Sequence, residues 1–331
     1  MKNNKVTIND ISTALGVSSV SVSRALSGQS GVGEELKNRI IEKAREMGYT
    51  KNKKTDQVNI LVLHQKPYKE DTSNFSYMVQ GVEKALQRND ADYSVEFIDN
   101  ETQNDLVLPY KLSKGINFDG VILLGRFKLE YANLIKQKID NLIFFTGYSP
   151  SYDFDCVRFN FNNAGYKQCE YLIKNGHESI GFLGSNTQFK NKEKLLGITE
   201  AMEDYRVPYK KEFFIEAETG YPSKFLKLIE SGNLPSAFIC EDDFKAVELI
   251  KLLNSNKIRV PEDVSVLGSG NTDISILCTP SLTTLDLNIE YACESVVDTL
   301  LKRIQTPDKP CETIAVLSKL IERESVRFLK E

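Results

Sequence analysis

In the first fifty residues apolar positions recur every three or four residues; beyond residue 58 they gather into short runs separated by amphipathic stretches. Ile8, Ile11 and Leu15 share one helical face. Thr7 stands where an N-cap belongs, Asp10 puts charge where the helix dipole favours it, and Gly16 supplies a left-handed stop. Ser18 then caps a second helix over about 19–26, which turns Val22, Ala25 and Leu26 inward. A third helix is predicted over about 33–47, ending at Gly48. It has Ile40, Ile41, Ala44 and Met47 inside and Lys37, Arg39, Lys43 and Arg45 outside.

Further along, 58–63, 93–98, 120–124, 142–146, 179–183, 237–240 and 264–267 read as strands. Helical stretches lie between most of them, over 77–88, 164–174, 192–205, 225–230 and 244–254. Strands alternating with helices imply parallel sheets wound by right-handed crossovers, and ligands of such sheets sit beyond the carboxyl ends of the strands. At 331 residues the chain has room for two or three domains. It carries no apolar run long enough for a membrane span and no signal-peptide stretch at its start, so a cytoplasmic location is expected.

The first fifty residues also carry the most telling chemistry. Two short helices joined by a tight turn form a helix-turn-helix, and the outer face of the second bears Ser19, Val20, Ser23 and Arg24. Short polar side chains let such a helix sit deep in a major groove. An arginine can fork onto guanine, and a valine can meet a thymine methyl. Thr7, Ser18 and Ser21 join these as candidate DNA contacts. Residues 1–55 hold ten Lys/Arg against five Asp/Glu, so this head is +5 while the whole chain is −4. A basic head on an acidic body is expected when only the head meets phosphates. The bland alternative is a helical hairpin for protein contacts, its charges merely solvated.

Little favours an enzyme. No Gly-rich dinucleotide loop follows the first strand, and there is no P-loop and no Gly-x-Ser-x-Gly. The six cysteines include no CxxC pair and read as reduced thiols, and with only two histidines neither a metal nor a cofactor is expected.

Val6-Thr7-Ile8, Asp10-Ile11, Gly16-Val17-Ser18, Val22-Ser23-Arg24-Ala25-Leu26 and Gly48-Tyr49 resemble the head of the lactose/galactose repressor family. Gly120-Val121-Ile122, Asn175-Gly176-His177, the run from Val260 to Val266, and Leu282-Thr283-Thr284 extend that resemblance along the chain. The fold class it implies is α/β: an all-α helix-turn-helix head and two doubly wound parallel-sheet subdomains of periplasmic-binding-protein type. The implied divisions are a head over 1–49, a short basic linker over 50–57, and a two-lobed sensing and dimerisation body over 58–331. Within the body, one lobe is expected at about 58–160 plus 288–317 and the other at 161–287 plus the tail, joined by three crossovers.

The resemblance further implies a homodimer, or a tetramer, on a pseudo-palindromic double-stranded operator, a repressor whose operator affinity is modulated by a small molecule bound between the lobes. A sugar leads, with a galactoside the nearest kind. Control by a partner protein or a purine is the alternative, and a solute-binding protein or an enzyme lies further off. Expected effector contacts are Lys194, where the family usually has arginine, Asp242, Asn271 and Thr146, with Phe75, Tyr148 and Tyr221 as stacking aromatics. Lys194 read as an ordinary helix residue is a solvated charge, and Phe75 is a core residue. Asp243 either adds a second carboxylate or caps the helix starting at Phe244.

The linker departs furthest from the family. After Gly48-Tyr49 come Thr50, Lys51, Asn52, Lys53, Lys54, Thr55, Asp56 and Gln57, with neither the proline nor the leucine wedge that kinks DNA in most relatives. Lys51, Lys53 and Lys54 are left to contact phosphates. Bending of bound DNA should therefore be weaker than a wedge produces; gel phasing of bound fragments will read a shallow angle, and a sharp kink contradicts this.

Overall fold

The computed structural model describes residues 6, 8–27, 32–47, 57–65, 74–147, 153–185, 188–217 and 220–329. The chain divides into two compact units, Met1–Gln57 and Val58–Glu331.

In the first unit, α1 (Ile8–Leu15), α2 (Ser19–Ser27) and α3 (Glu34–Glu46) close around Ile11, Val22, Ala25, Ile40 and Ala44. Ile41 is half-buried and stands outside that cluster, contrary to the pattern above. The turn after α1 is a Schellman closure: Gly16 takes φ +65°, and the Val17 N–H reaches back to the Ser12 carbonyl at 3.1 Å. Three residues, 16–18, separate α1 from α2.

The second unit begins with β1 (Asn59–His64), α4 (Phe75–Arg88), β2 (Asp92–Phe97), α5 (Asn100–Asn104), α6 (Tyr110–Ser113), β3 (Gly120–Gly125), α7 (Leu129–Lys136), β4 (Leu142–Thr146) and β5 (Asp155–Phe159). After a crossing come α8 (Phe161–Lys174), β6 (Ile180–Leu183), α9 (Phe189–Asp204), β7 (Phe214–Ile215), α10 (Tyr221–Glu230), β8 (Ala237–Cys240), α11 (Asp243–Ser255), β9 (Ser265–Leu267) and α12 (Asp273–Leu277). The chain then passes through β10 (Thr284–Asp286) to α13 (Ile289–Gln305) and β11 (Thr313–Val316), and back along β12 (Lys319–Ile321).

The strands form a six-stranded parallel sheet, β11-β5-β4-β3-β1-β2, and a four-stranded parallel sheet, β7-β6-β8-β9. β10 and β12 pair antiparallel, so the three passages between lobes follow β5, β10 and β11. Each sheet is buried on both faces, as parallel sheets require. Ile60 and Val62 point into one core with Ile122 and Val296, while Leu61 and Leu63 point into another with Tyr131 and Phe144. The smaller sheet does the same: Phe182 and Ile239 face one core, Leu183 and Phe238 the other.

Two glycines set the geometry of the second lobe. A Cβ on Gly165 of α8 would lie 2.0 Å from the Lys194 carbonyl oxygen, and one on Gly197 of α9 would lie 1.9 Å from that of Asn162. The two helices therefore meet backbone to backbone, an approach that only glycine permits.

At the start of β5, Asp155 is 1% exposed and gathers a polar hub. It accepts from Arg303 at 2.8 and 3.1 Å, from Lys309 at 2.8 Å, and from the Glu312 N–H at 2.8 Å. Burial alone would raise its carboxyl, but the hydrogen bonds from Arg303 and Lys309 outweigh burial and hold it below the usual aspartate value. A carboxyl depressed in the fold contributes stability above its unfolded value and loses it as pH falls through the folded one. Asp155→Asn should therefore cost about 3 kcal/mol near neutrality, because it strands two cations around the site. Urea unfolding of variant and wild type at pH 7 and again below pH 4 will show that difference shrinking in acid.

Candidate nucleic-acid interface and effector cleft

The start of α2 is built as its sequence dictates. Ser18 Oγ accepts the Ser21 N–H at 3.1 Å and lies 2.9 Å from the Ser21 hydroxyl. The cap satisfies an orphan N–H of the first turn and orients the residues beside it. Ser18, Ser19 and Arg24 are exposed, and Val20 leaves 58% of its surface in water. Val20 and Arg24 are four apart and so share a face. Ser21 is half-buried and engaged in the cap. Ser23 lies within α2, its side chain outside the description, and Thr7, Lys51, Lys53 and Lys54 lie outside the described residues. One short helix thus presents an apolar methyl pair, the Ser19 hydroxyl and a guanidinium on open surface, a set suited to base edges and phosphates.

The cleft candidates fall at the carboxyl ends of the sheets, but their surroundings differ from the expectations. Lys194 is 1% exposed and is no solvated charge. Its ammonium donates to the Glu241 carbonyl at the end of β8, 2.9 Å away. Burial, reinforced by Lys190, pushes it down to about 8 against the opposing pull of Asp242, Glu241 and Asp243. Glu241, which sequence reasoning missed, is its buried companion. The Glu241 carboxylate accepts from the Ser185 N–H at 3.1 Å and from the Asn191 amide, whose own oxygen is buried with no partner among the described residues. A carboxylate at the end of an apolar strand was the available signal.

Asp242 caps α11, accepting the Lys245 N–H at 2.9 Å. The cap is therefore Asp242, and the alternative that Asp243 serves is corrected. Asp243 is the first residue of α11, 1% exposed, and accepts from the Thr272 N–H at 2.7 Å, its hydroxyl at 2.9 Å, and the Thr284 hydroxyl. Burial pushes its carboxyl up. It ties the loop after β9 to β10 and has little left to offer a ligand.

Asn271, at φ +50°, donates to Asp286 at 3.1 Å and accepts from Arg323 at 2.7 Å. It belongs to the crossing segments as much as to the cleft. Thr146 ends β4 at φ +76°, and Gly147 follows because a Cβ there would sit 1.6 Å from the Gly125 carbonyl oxygen. The Tyr221 hydroxyl donates to Glu248 at 3.2 Å, and Lys245 Nζ lies 5.3 Å from its ring centroid. Burial, then Glu248, moves that phenol up to about 12. Phe75 is 5% exposed and packs in the core of the first lobe, 6.0 Å from the His64 ring, so it offers no open face for stacking. Tyr148 lies outside the described residues. The structure thus groups Lys194 with Asp242, and holds Asn271 and Tyr221 in separate networks.

Across the seam between the lobes, Asn74 donates to the Gly270 carbonyl at 3.0 Å, Tyr77 to Asp273 at 3.1 Å, and Arg158 to Glu193 at 2.5 Å. A cavity of about 740 Å³ opens by α4, α13 and the 270–273 loop, lined by Tyr77, Lys84, Arg88, Asn271 and Glu290. It excludes Lys194 and Asp242, so volume and chemistry point to different places; ligand chemistry favours the strand ends. Among the described residues no cluster of three metal-ligating side chains occurs, and no helix is long and apolar enough to cross a membrane.

Two family models match: "Bacterial regulatory proteins, lacI family" over residues 7–52 and "Periplasmic binding protein-like domain" over 169–326. The chain is 26% identical to the probable HTH-type transcriptional repressor ExuR of Bacillus subtilis (strain 168), across 98% of this chain and 99% of the relative. Among solved structures, the transcriptional regulator CelR–cellobiose complex aligns at TM-score 0.68 and 20% identity, over 97% of this chain and 100% of the other. The lac repressor dimer bound to operator and the anti-inducer ONPF aligns at 0.70 and 18%, over 98% and 100%.

Lys194 carries a stability test. Its ammonium titrates lower in the fold than its free value of 10.5, so the fold is penalised below about 8 and relieved as pH rises toward 10.5. Lys194→Met should stabilise the protein by roughly 1–3 kcal/mol at pH 7. Melting curves should show the gain shrinking from pH 7 to pH 10.

Proposed function

We propose that the chain is a member of the lacI family of bacterial regulatory proteins, a homodimeric transcription repressor whose hold on its operator is set by a small molecule. The observation that carries this reading is α2, where a capped helix exposes Ser19, Val20 and Arg24 within the segment that matches the family head. Residues 1–49 act as the DNA-binding head, 50–57 as a short basic linker, and 58–331 as the sensing and dimerisation body. Two heads of a twofold dimer suit two half-sites of a pseudo-palindrome. Ser19 and Val20 select bases, Arg24 adds a strong base or phosphate contact, and Lys51, Lys53 and Lys54 hold the backbone. DNA as target places the work in the cytoplasm, and the protein acts by binding, without turnover of its ligand.

The effector is a sugar. A bound cellobiose in one structural neighbour and a bound ribose in another support that class. Lys194 and Asp242 form the polar centre of its site on the second lobe, with Thr146 opposite and Asn271 at the crossing. Sugar changes operator affinity only through its differential affinity for the two lobe arrangements.

The test is selection of host genomic fragments by the purified protein at moderate salt, followed by sequencing. A shared pseudo-palindrome upstream of sugar-use genes is expected. Retention without a common sequence would reduce the head to phosphate binding and defeat the proposal. On the selected site Arg24→Ala should lose roughly 1–3 kcal/mol of affinity, as for a guanine contact; fluorescence anisotropy titration reads it.

A further inference from the structure

The two lobes also meet through opposite charges. Arg158 on β5 and Glu193 on α9 lie 2.5 Å apart, and each side chain is only 17% exposed. The second Glu193 oxygen is buried and has no hydrogen-bond partner among the described residues. In this partly dried setting the attraction exceeds what the same pair would have in water.

Both ends are fixed to rigid elements. Arg158 sits in a strand paired on one side with β11 and on the other with β4, one residue before the passage into the second lobe. Glu193 sits on the helix that Gly165 and Gly197 lock against α8, one residue before Lys194. Neither element can bend to follow its partner, so relative movement of the lobes falls on the ion pair. The other seam contacts are of a different kind: Asn74 donates to a neutral carbonyl, and Tyr77 reaches Asp273 at the surface. An apolar pair at this position would commit the lobes to one arrangement, because parting it exposes surface that water does not reclaim. Two charges part into groups that water solvates well, which suits a contact that must break and reform.

We propose that Arg158 and Glu193 form an inter-lobe latch that holds the lobes as seen here and sets how far an effector must work to rearrange them. The proposal rests on the effector-controlled repressor reading above. Its carrier is the juxtaposition of a rigid strand and a rigid helix through one ion pair beside Lys194.

Full-length Arg158→Gln, Glu193→Gln and the charge swap Arg158→Glu/Glu193→Arg test it by hydrogen exchange without effector. Each single variant should speed exchange several-fold in 268–272, 284–286 and 319–321, while β1, β3 and β4 keep their protection. The swap should return those segments toward wild-type rates. Single variants that exchange like wild type, or a swap no better than either single change, would overturn the latch. The glutamine variants keep the test open if the swap does not fold. On the selected operator, a several-fold shift in affinity for the single variants supports coupling to DNA, and unchanged affinity overturns that coupling. Wild-type protein that binds no specific site defeats the repressor reading instead, and leaves the exchange result to judge the latch.

Discussion

The structure depends on one constraint: two parallel sheets are made from one chain that passes between them three times. Parallel strands send their helices back across the faces and leave loops at the carboxyl ends, where ligands bind. Here the ends of both sheets contribute to the seam. Asn74, at the start of α4, reaches the loop after β9, while Arg158 near the end of β5 reaches α9. Polar groups brought into that seam need partners, and the networks around Glu241, Asp243 and Asn271 are the result. The same need makes the seam responsive, since whatever enters must replace some of those partnerships.

Rigidity within each lobe and compliance between them follow from different materials. Inside the lobes the cores are aliphatic and aromatic on both faces of each sheet, and α8 touches α9 through backbone at Gly165 and Gly197. Between the lobes the described contacts include hydrogen bonds and an ion pair, with Phe161 of α8 packed on Phe159 where the chain first crosses. Close-packed interiors resist continuous deformation, so movement concentrates where packing gives way to polar contact. The Asp155 hub shows the contrasting use of charge. It ties β5 to the segment after α13 inside one lobe, with Arg303 and Lys309 filling its lone pairs. A hub so fully satisfied stabilises; the half-satisfied Glu193 beside Lys194 can let go.

How much of this was legible in the sequence depends on which force acts locally. The head was readable almost in full, because caps, a glycine stop and helical spacing all operate within a few residues. Ser18 caps α2 and Gly16 reverses the chain, as their residue types require. The seven strands read from apolar runs each have a counterpart within one or two residues. β5 was hidden, because Asp155 and Arg158 interrupt its apolar run; their charges are neutralised by Arg303, Lys309 and Glu193, which lie 35 to 154 residues away in sequence. β7, β10 and β12 are only two or three residues long and carry no period of their own.

By itself the sequence determined the helix-turn-helix, the alternation that makes parallel sheets, and the charge contrast between head and body, since each arises from neighbours along the chain. Tertiary structure alone decided what the polar residues of the body do. Lys194 looked like a solvated surface charge and is a buried cation on the Glu241 carbonyl. Phe75 looked like a stacking face and is core, and Asp242, not Asp243, caps α11. The physical reason is common to all three. A side chain's protonation, exposure and hydrogen bonding are set by groups that only folding brings within a few ångströms, and no local pattern encodes them.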